Sequence, residues 1–120
     1  LAQRAVPPDD ITPEEFFTRW VPRAVADDPE RRRRLGERPL ALEFRLEGDG
    51  GGVFSVHIVD GGIFGSVGGL DEADLRVRVD VETWRCLNRG ELSAPEAFLR
   101  RRVHVSGNLL LAVKLHLILG

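Results

Sequence analysis

Apolar positions follow a helical period to about residue 36, a period of two from residue 40 to about residue 81, and helical punctuation again to residue 101. Thr12 before Pro13, Glu14 and Glu15 supplies an N-cap, a first-turn proline and first-turn acids. This predicts a helix from about Pro13 to Arg19, carrying Phe16, Phe17 and Trp20. Pro22 either starts a second segment or kinks the first. Asp27-Asp28-Pro29-Glu30 opens another short helix, with Asp27/Arg31, Asp28/Arg32 and Glu30/Arg34 at supportive i,i+4 spacing, and Gly36 ends it.

Leu42, Phe44 and Leu46 alternate with Glu43, Arg45 and Glu47, and after the turn Gly48–Gly52, Phe54, Val56 and Ile58 alternate with Ser55 and His57. The pattern is a β-hairpin with one apolar face. Asp60-Gly61-Gly62 turns into a third strand over Ile63–Val67, and Leu75, Val77, Val79 and Val81 against Arg76, Arg78 and Asp80 make a fourth with a charged outer face. A helix over Glu82–Asn88 closes at Gly90, and a second begins at the capping box Ser93-x-x-Glu96 and ends in Arg100, Arg101 and Arg102. Val103 and Val105 form a short fifth strand closed by Gly107. The last segment, Asn108 to Leu119, alternates as a strand would at Val113, Leu115, Leu117 and Leu119, but its length, its Leu and Ala content and the Asn108 cap favour a helix.

The chain of 120 residues suits one domain, read as an irregular arm over residues 1–12 and a single domain over 13–120. The lone cysteine, Cys86, cannot form an internal disulfide and fits a reducing, cytoplasmic compartment. With 17 basic against 19 acidic residues the net charge is −2, the wrong sign for a polyanion-binding protein, so nucleic acid is not expected as a partner. The apolar stretch Leu109–Leu119 is broken by Lys114 and His116 and is far short of the ~20 residues that span a bilayer. Without an initiator Met or a signal-peptide layout, the chain reads as a processed product or an excised piece.

Candidate chemistry is sparse. Asp71-Glu72-Ala73-Asp74 spells a helicase metal-binding string, but no phosphate-binding Gly-x-x-x-x-Gly-Lys-Ser/Thr loop accompanies it. The glycine-rich segments at 48–52 and 61–69 have turn spacing, not Rossmann or P-loop spacing. Arg31–Arg34 are matched by acids one turn earlier, and Arg100–Arg102 sit at a helix end. Outward strand positions for His57 and His104 offer the one route to a histidine pair, and no metal or other cofactor is expected. Cys86 beside Trp84 reads as a packed thiol. Lys114, with His116 nearby, is a nucleophile only if its ammonium is desolvated, and otherwise delivers that ammonium to water or to a ligand's acidic head.

The setting of Lys114 is more informative than its chemistry. On a helical wheel Lys114 and His116 fall on different sides, leaving the last helix apolar almost all round. Such a helix on a one-layer sheet needs cover from the N-terminal helices, a second chain or an apolar ligand.

Ala73-Asp74, the strand to Asp80, Gly90, Ala97-Phe98, and Val103 to Val105 leading into Gly107-Asn108-x-x-Leu111-Ala112-x-Lys114-Leu115 together closely resemble the sterol carrier protein 2 family. Phe16 to Trp20 with Pro22, Leu42-x-Phe44 and Gly65-Ser66 extend the resemblance to residues 13–119. The match departs at Arg101, where members often carry Gly before a basic residue, so a different turn into the last strand is expected there.

The resemblance implies an α+β fold, a five-stranded, largely antiparallel sheet with helices packed on one face and an apolar tunnel between them. It implies a non-catalytic intracellular carrier of a fatty acyl chain, acyl-CoA, phospholipid or sterol-like ligand, monomeric or weakly dimeric, touching membranes transiently. The candidate lipid-binding residues are Phe44, Phe54, Val56, Ile58, Val77 and Val79 on the strands and Trp84, Leu87 and Phe98 on the middle helices. Leu110, Val113 and Leu117 would form the opposite wall. An empty tunnel of a few hundred Å³ would cost on the order of 5–10 kcal/mol at about 24 cal/mol per Å³, so it is expected to be filled or partly collapsed. The alternative is an interaction or dimerisation module whose apolar last helix docks on a partner protein or enzyme.

Overall fold

The computed structural model describes residues 6–34, 38–59 and 62–119, excluding the side chains of 31, 32 and 117–119. Thr12 caps α1 (Pro13–Glu15), its hydroxyl accepting the Glu15 N–H at 3.1 Å. The chain continues through a π-helical turn, Phe16–Trp20, into α2 (Val21–Ala26). Pro22, whose ring would crowd the Thr18 carbonyl in a regular α-helix, follows directly on the wider turn. Pro22 therefore stands in the first turn of α2, a segment that continues the π-helical turn without a break. In α3 (Pro29–Arg34) the Glu30–Arg34 pair forms at 2.7 Å; the side chains of the expected partners Arg31 and Arg32 are not described, and the stop at Gly36 lies outside the described residues.

Strands β1 (Leu40–Glu47), β2 (Gly52–Val59), β3 (Gly62–Val67), β4 (Leu75–Asp80) and β5 (Val103–Gly107) form one sheet in the order β3-β2-β1-β4-β5. Only β1 and β4 run parallel; the other three pairings are antiparallel. The turn at Asp60-Gly61 lies outside the described residues. Because side chains alternate along each strand, register sorts them by face. Leu42, Leu46, Phe54, Val56, Ile58, Ile63, Leu75 and Val79 share the inner face and are buried.

Val81, expected to end β4, instead begins α4 (Val81–Arg89), because Asp80 takes the extended N-cap conformation and accepts the Thr83 N–H at 2.9 Å. Gly90 closes α4 in the left-handed region, and Ser93 caps α5 (Ala94–Leu99). Asn108 caps α6 (Leu109–Leu119), accepting the Leu111 N–H at 3.2 Å, which settles the last segment as a helix. Residues 6–12 have no regular structure but are tied to α4, where Arg85 donates to the carbonyls of Asp9 at 2.9 Å and Ile11 at 3.1 Å.

The π-helical turn and α2 pack over β2 and β3, α4 lies on β1 and β4, and α6 lies on β4 and β5. The contact at β3 requires Gly65, because a Cβ there would collide with the Phe17 carbonyl. Among the described residues no helix is long and apolar enough to cross a membrane.

The turn from α5 into β5 keeps the geometry that glycine would give. Arg101 adopts φ +60, the left-handed conformation that glycine takes without strain.

Candidate functional site

The space between sheet and N-terminal helices is filled by aromatic rings. Phe17 stacks on Phe44 at 4.8 Å and on Phe54 at 5.2 Å between centroids, and Phe16 meets Phe17 edge-on at 4.9 Å. Phe16 also stacks on Trp20 and meets the edge of Trp84, each at 5.3 Å. These offset and T-shaped contacts are the favoured arrangements of aromatic quadrupoles. They occupy the layer where the family resemblance implies a tunnel. Two surface recesses lie outside that layer. One is a shallow notch between Pro7-Pro8-Asp9 and α4, and the other, about 540 Å³, opens beside Ala41, Asp71, Glu72, Asp74 and Arg76.

One row of the inner face is less covered. Register aligns Phe54, Phe44, Val77 and Val105 across β2, β1, β4 and β5. Phe54 is buried under Phe17, whereas Phe44, Val77 and Val105 are only half-buried. The flanking residues Leu42, Leu46, Leu75 and Val79 are all buried. Half-exposure of Phe44 and Val77 on interior strands therefore marks a lane that runs between buried neighbours on β1 and β4 and reaches β5, where its neighbours Val103 and Gly107 are half-buried and exposed. From β1 to β5 it spans two interstrand steps, roughly 10 Å. Trp84 on α4 and Leu111 and Leu115 on α6 are buried on the elements flanking it.

The predicted residues divide accordingly. Phe44 and Val77 lie on the lane; Phe54, Val56, Ile58, Val79 and Trp84 are buried in the packed core, and Leu87 is half-buried. Phe98, at 47% exposure, Leu110 at 82% and Val113 at 57% face outward, which corrects their assignment to the opposite wall. The inner face of α6 is instead Leu111 and Leu115, one turn apart. A helix apolar all round carries no phase, so nothing in its pattern chose between these two stripes. The Leu117 side chain lies outside the described residues.

The remaining candidates do not converge. His57 on β2 and His104 on β5 share the outer face but stand three strand steps apart and four residues out of register, roughly 19 Å. Among the described residues no cluster of His, Cys, Asp or Glu could hold a metal ion. Cys86 is half-buried, and Lys114 is exposed, its ammonium in water.

A feature absent from the sequence reading lies on the outer face. Glu43, expected at a solvated position, is buried beneath the β3–β4 crossover, where it accepts the Leu70 N–H at 2.8 Å and pairs with Arg76 Nε at 3.2 Å. Arg76 in turn donates to the carbonyls of Leu70 and Asp71. Beside it Ser55, also buried, shares a 2.9 Å hydrogen bond with Ser66. These bonds pin the crossover and leave the inner face as the sheet's apolar surface.

Residues 17–120 match the model of the SCP-2 sterol transfer family. No curated protein matches the sequence. Among solved structures, palmitated SCP2L2 from Aedes aegypti is 19% identical, with a TM-score of 0.66 over 91% of this chain and 95% of that one. Sterol carrier protein domain 2 of Helicoverpa armigera is 20% identical, with a TM-score of 0.65 over 95% and 89%. The sec-alkylsulfatase Pisa1 from Pseudomonas sp. is 21% identical, with a TM-score of 0.66 over 92% of this chain but only 16% of its own. The chain thus spans less than a fifth of that enzyme's length. At these identities the structures show a shared fold, and the family assignment rests on the match over residues 17–120. The chain belongs to the SCP-2 sterol transfer family.

Proposed function

We propose that the chain carries one acyl chain, as a fatty acid or acyl ester, laid along the lane over Phe44, Val77 and Val105 beneath α6. The supporting observation is the half-exposure of these three aligned residues, with the neighbours of Phe44 and Val77 on β1 and β4 all buried. Covering them with a methylene chain stabilises the complex by about 25 cal/mol per Å² of apolar surface removed from water. The polar end lies toward α4, where Trp84 Nε1 is a buried donor without a hydrogen-bond partner among the described residues. A buried, unpaired donor costs about 1–3 kcal/mol, which an acceptor oxygen of the ligand would offset.

Native mass spectrometry after gentle purification tests this reading. It should show a monomer carrying added mass of lipid size, and delipidated protein should melt lower and recover on adding palmitic acid. Protein without added mass, whose Tm ignores palmitic acid, contradicts it.

The exposed side of α6 favours a second reading, a module that docks on a partner. The Pisa1 likeness shows this fold inside a much longer enzyme chain, and Leu109, Leu110 and Val113 would be buried by such docking. A clean dimer or partner complex in the same spectra would support it over the carrier.

A further inference from the structure

Helices α4 and α5 end in the same hydrogen-bonded closure. In α4, Gly90 N–H donates to the Leu87 carbonyl at 3.2 Å and Glu91 N–H to the Cys86 carbonyl at 3.0 Å. In α5, Arg101 N–H donates to the Phe98 carbonyl at 3.0 Å and Arg102 N–H to the Ala97 carbonyl at 2.9 Å. This pair of bonds is the Schellman closure, and it places the residue after the cap in the left-handed region that glycine occupies without strain. At α4 that residue is Gly90, with φ +76; at α5 it is Arg101, the only non-glycine with positive φ among the described residues.

Nothing within the described chain compensates this choice. Arg100 pairs with Glu96 at 3.2 Å, and the charge of Arg102 acts on Asp80, but Arg101 is exposed and has no hydrogen bond or ion pair among the described residues. Strain kept at an exposed position points to a role outside the chain.

The surroundings indicate which. Phe98 and Leu99, on the last turn of α5, are 47% and 79% exposed. Helix α6, which also packs on β5, exposes Leu109, Leu110 and Val113, together with Lys114, which has no ion pair among the described residues. Protruding apolar side chains with free cations among them, on a chain of net charge −2, complement a surface that is anionic outside and apolar beneath. The lane over Phe44, Val77 and Val105 also ends at β5.

We propose that the junction of α5 and β5, with Phe98, Leu99 and Arg101 at its tip, docks on anionic lipid membranes. The apolar side chains enter the headgroup boundary and the Arg101 guanidinium meets lipid phosphates. This docking does not depend on which lipid the chain carries.

Co-sedimentation with phosphatidylcholine vesicles, with and without phosphatidylglycerol, tests it on the wild type, R101G and L99S. The wild type should bind the phosphatidylglycerol vesicles and not the neutral ones, and added salt should weaken binding. R101G should bind about fivefold more weakly and yet melt at a higher temperature, because glycine relieves the strain; a purely structural residue would not move the two readouts in opposite senses. L99S should bind more weakly at unchanged Tm. Undiminished binding by R101G, or weaker binding together with a lower Tm, overturns the proposal. Equal binding to neutral vesicles also overturns it. Binding to polyglutamate that matches binding to the vesicles and ignores L99S assigns the surface to an acidic protein instead and overturns it too.

Discussion

Phe17 and Phe44 stack with centroids 4.8 Å apart and planes 29° from parallel, joining the π-helical turn to the central strand of the sheet. One side of the Phe44 residue is thereby sealed, while the residue as a whole stays half-buried on the lane. Core packing and the proposed lipid path therefore meet at this contact.

Replacing Phe17 with Ala should remove the ring that touches both Phe44 and Phe54. The expected loss is about 3–5 kcal/mol, on the order of 15 °C in Tm. Palmitic acid should restore more of the Tm in F17A than it adds to the wild type, since the ligand can occupy the vacated space. Thermal melts with and without palmitic acid check both parts, and a loss under about 1 kcal/mol would show that the stack is peripheral.

Glu43→Ala strands the Leu70 N–H and the Arg76 guanidinium beneath the crossover. Arg76 remains partly exposed and can be solvated, so the expected cost is about 2 kcal/mol, set mainly by the unpaired backbone donor. Glu43→Gln retains an acceptor for Leu70 and should cost less. Hydrogen exchange should show the Leu70 amide losing protection in E43A before the amides of β1 do. Equal protection in both proteins would mean that the crossover is held by something other than Glu43.

Asp80 links acid stability to the start of α4. Burial pushes its carboxyl upward, but hydrogen bonds from the Thr83 hydroxyl and N–H, with the charge of Arg102, outweigh burial and hold it below its ordinary value of 3.8. A carboxylate lowered on folding stabilises the native state above its unfolded pKa, and that contribution disappears as pH falls through the folded value. D80A should therefore cost about 1 kcal/mol at neutral pH, and the gap from the wild type should narrow as pH falls below 3.8. Urea titrations at several pH values check this, and a gap independent of pH contradicts it.

Much of the architecture was readable because the residues that start and stop elements act locally. Thr12, Ser93 and Asn108 each accept the backbone N–H of the residue three positions on. Period-two alternation likewise separated the two faces of β1, β2 and β4. The unreadable features are those set by tertiary geometry. Glu43 reads as a solvated strand charge because its cover, Leu70, is 27 residues away and arrives only through the crossover. The choice of Leu111 and Leu115 over Leu110 and Val113 depends on how α6 lands on β4 and β5, which a uniformly apolar helix does not encode. At Arg101 the sequence showed the departure from the family pattern, but only the backbone showed that this arginine takes a left-handed, glycine-type conformation.

The central claim is tested most directly by intermolecular NOEs between methyl-labelled protein and bound palmitic acid. The account predicts contacts from the acyl methylenes to the methyls of Val77, Val105, Leu111 and Leu115, and none to Val56 or Ile58 in the closed core. Contacts confined to Val56 and Ile58, or to the outward methyls of Leu110 and Val113, would contradict it.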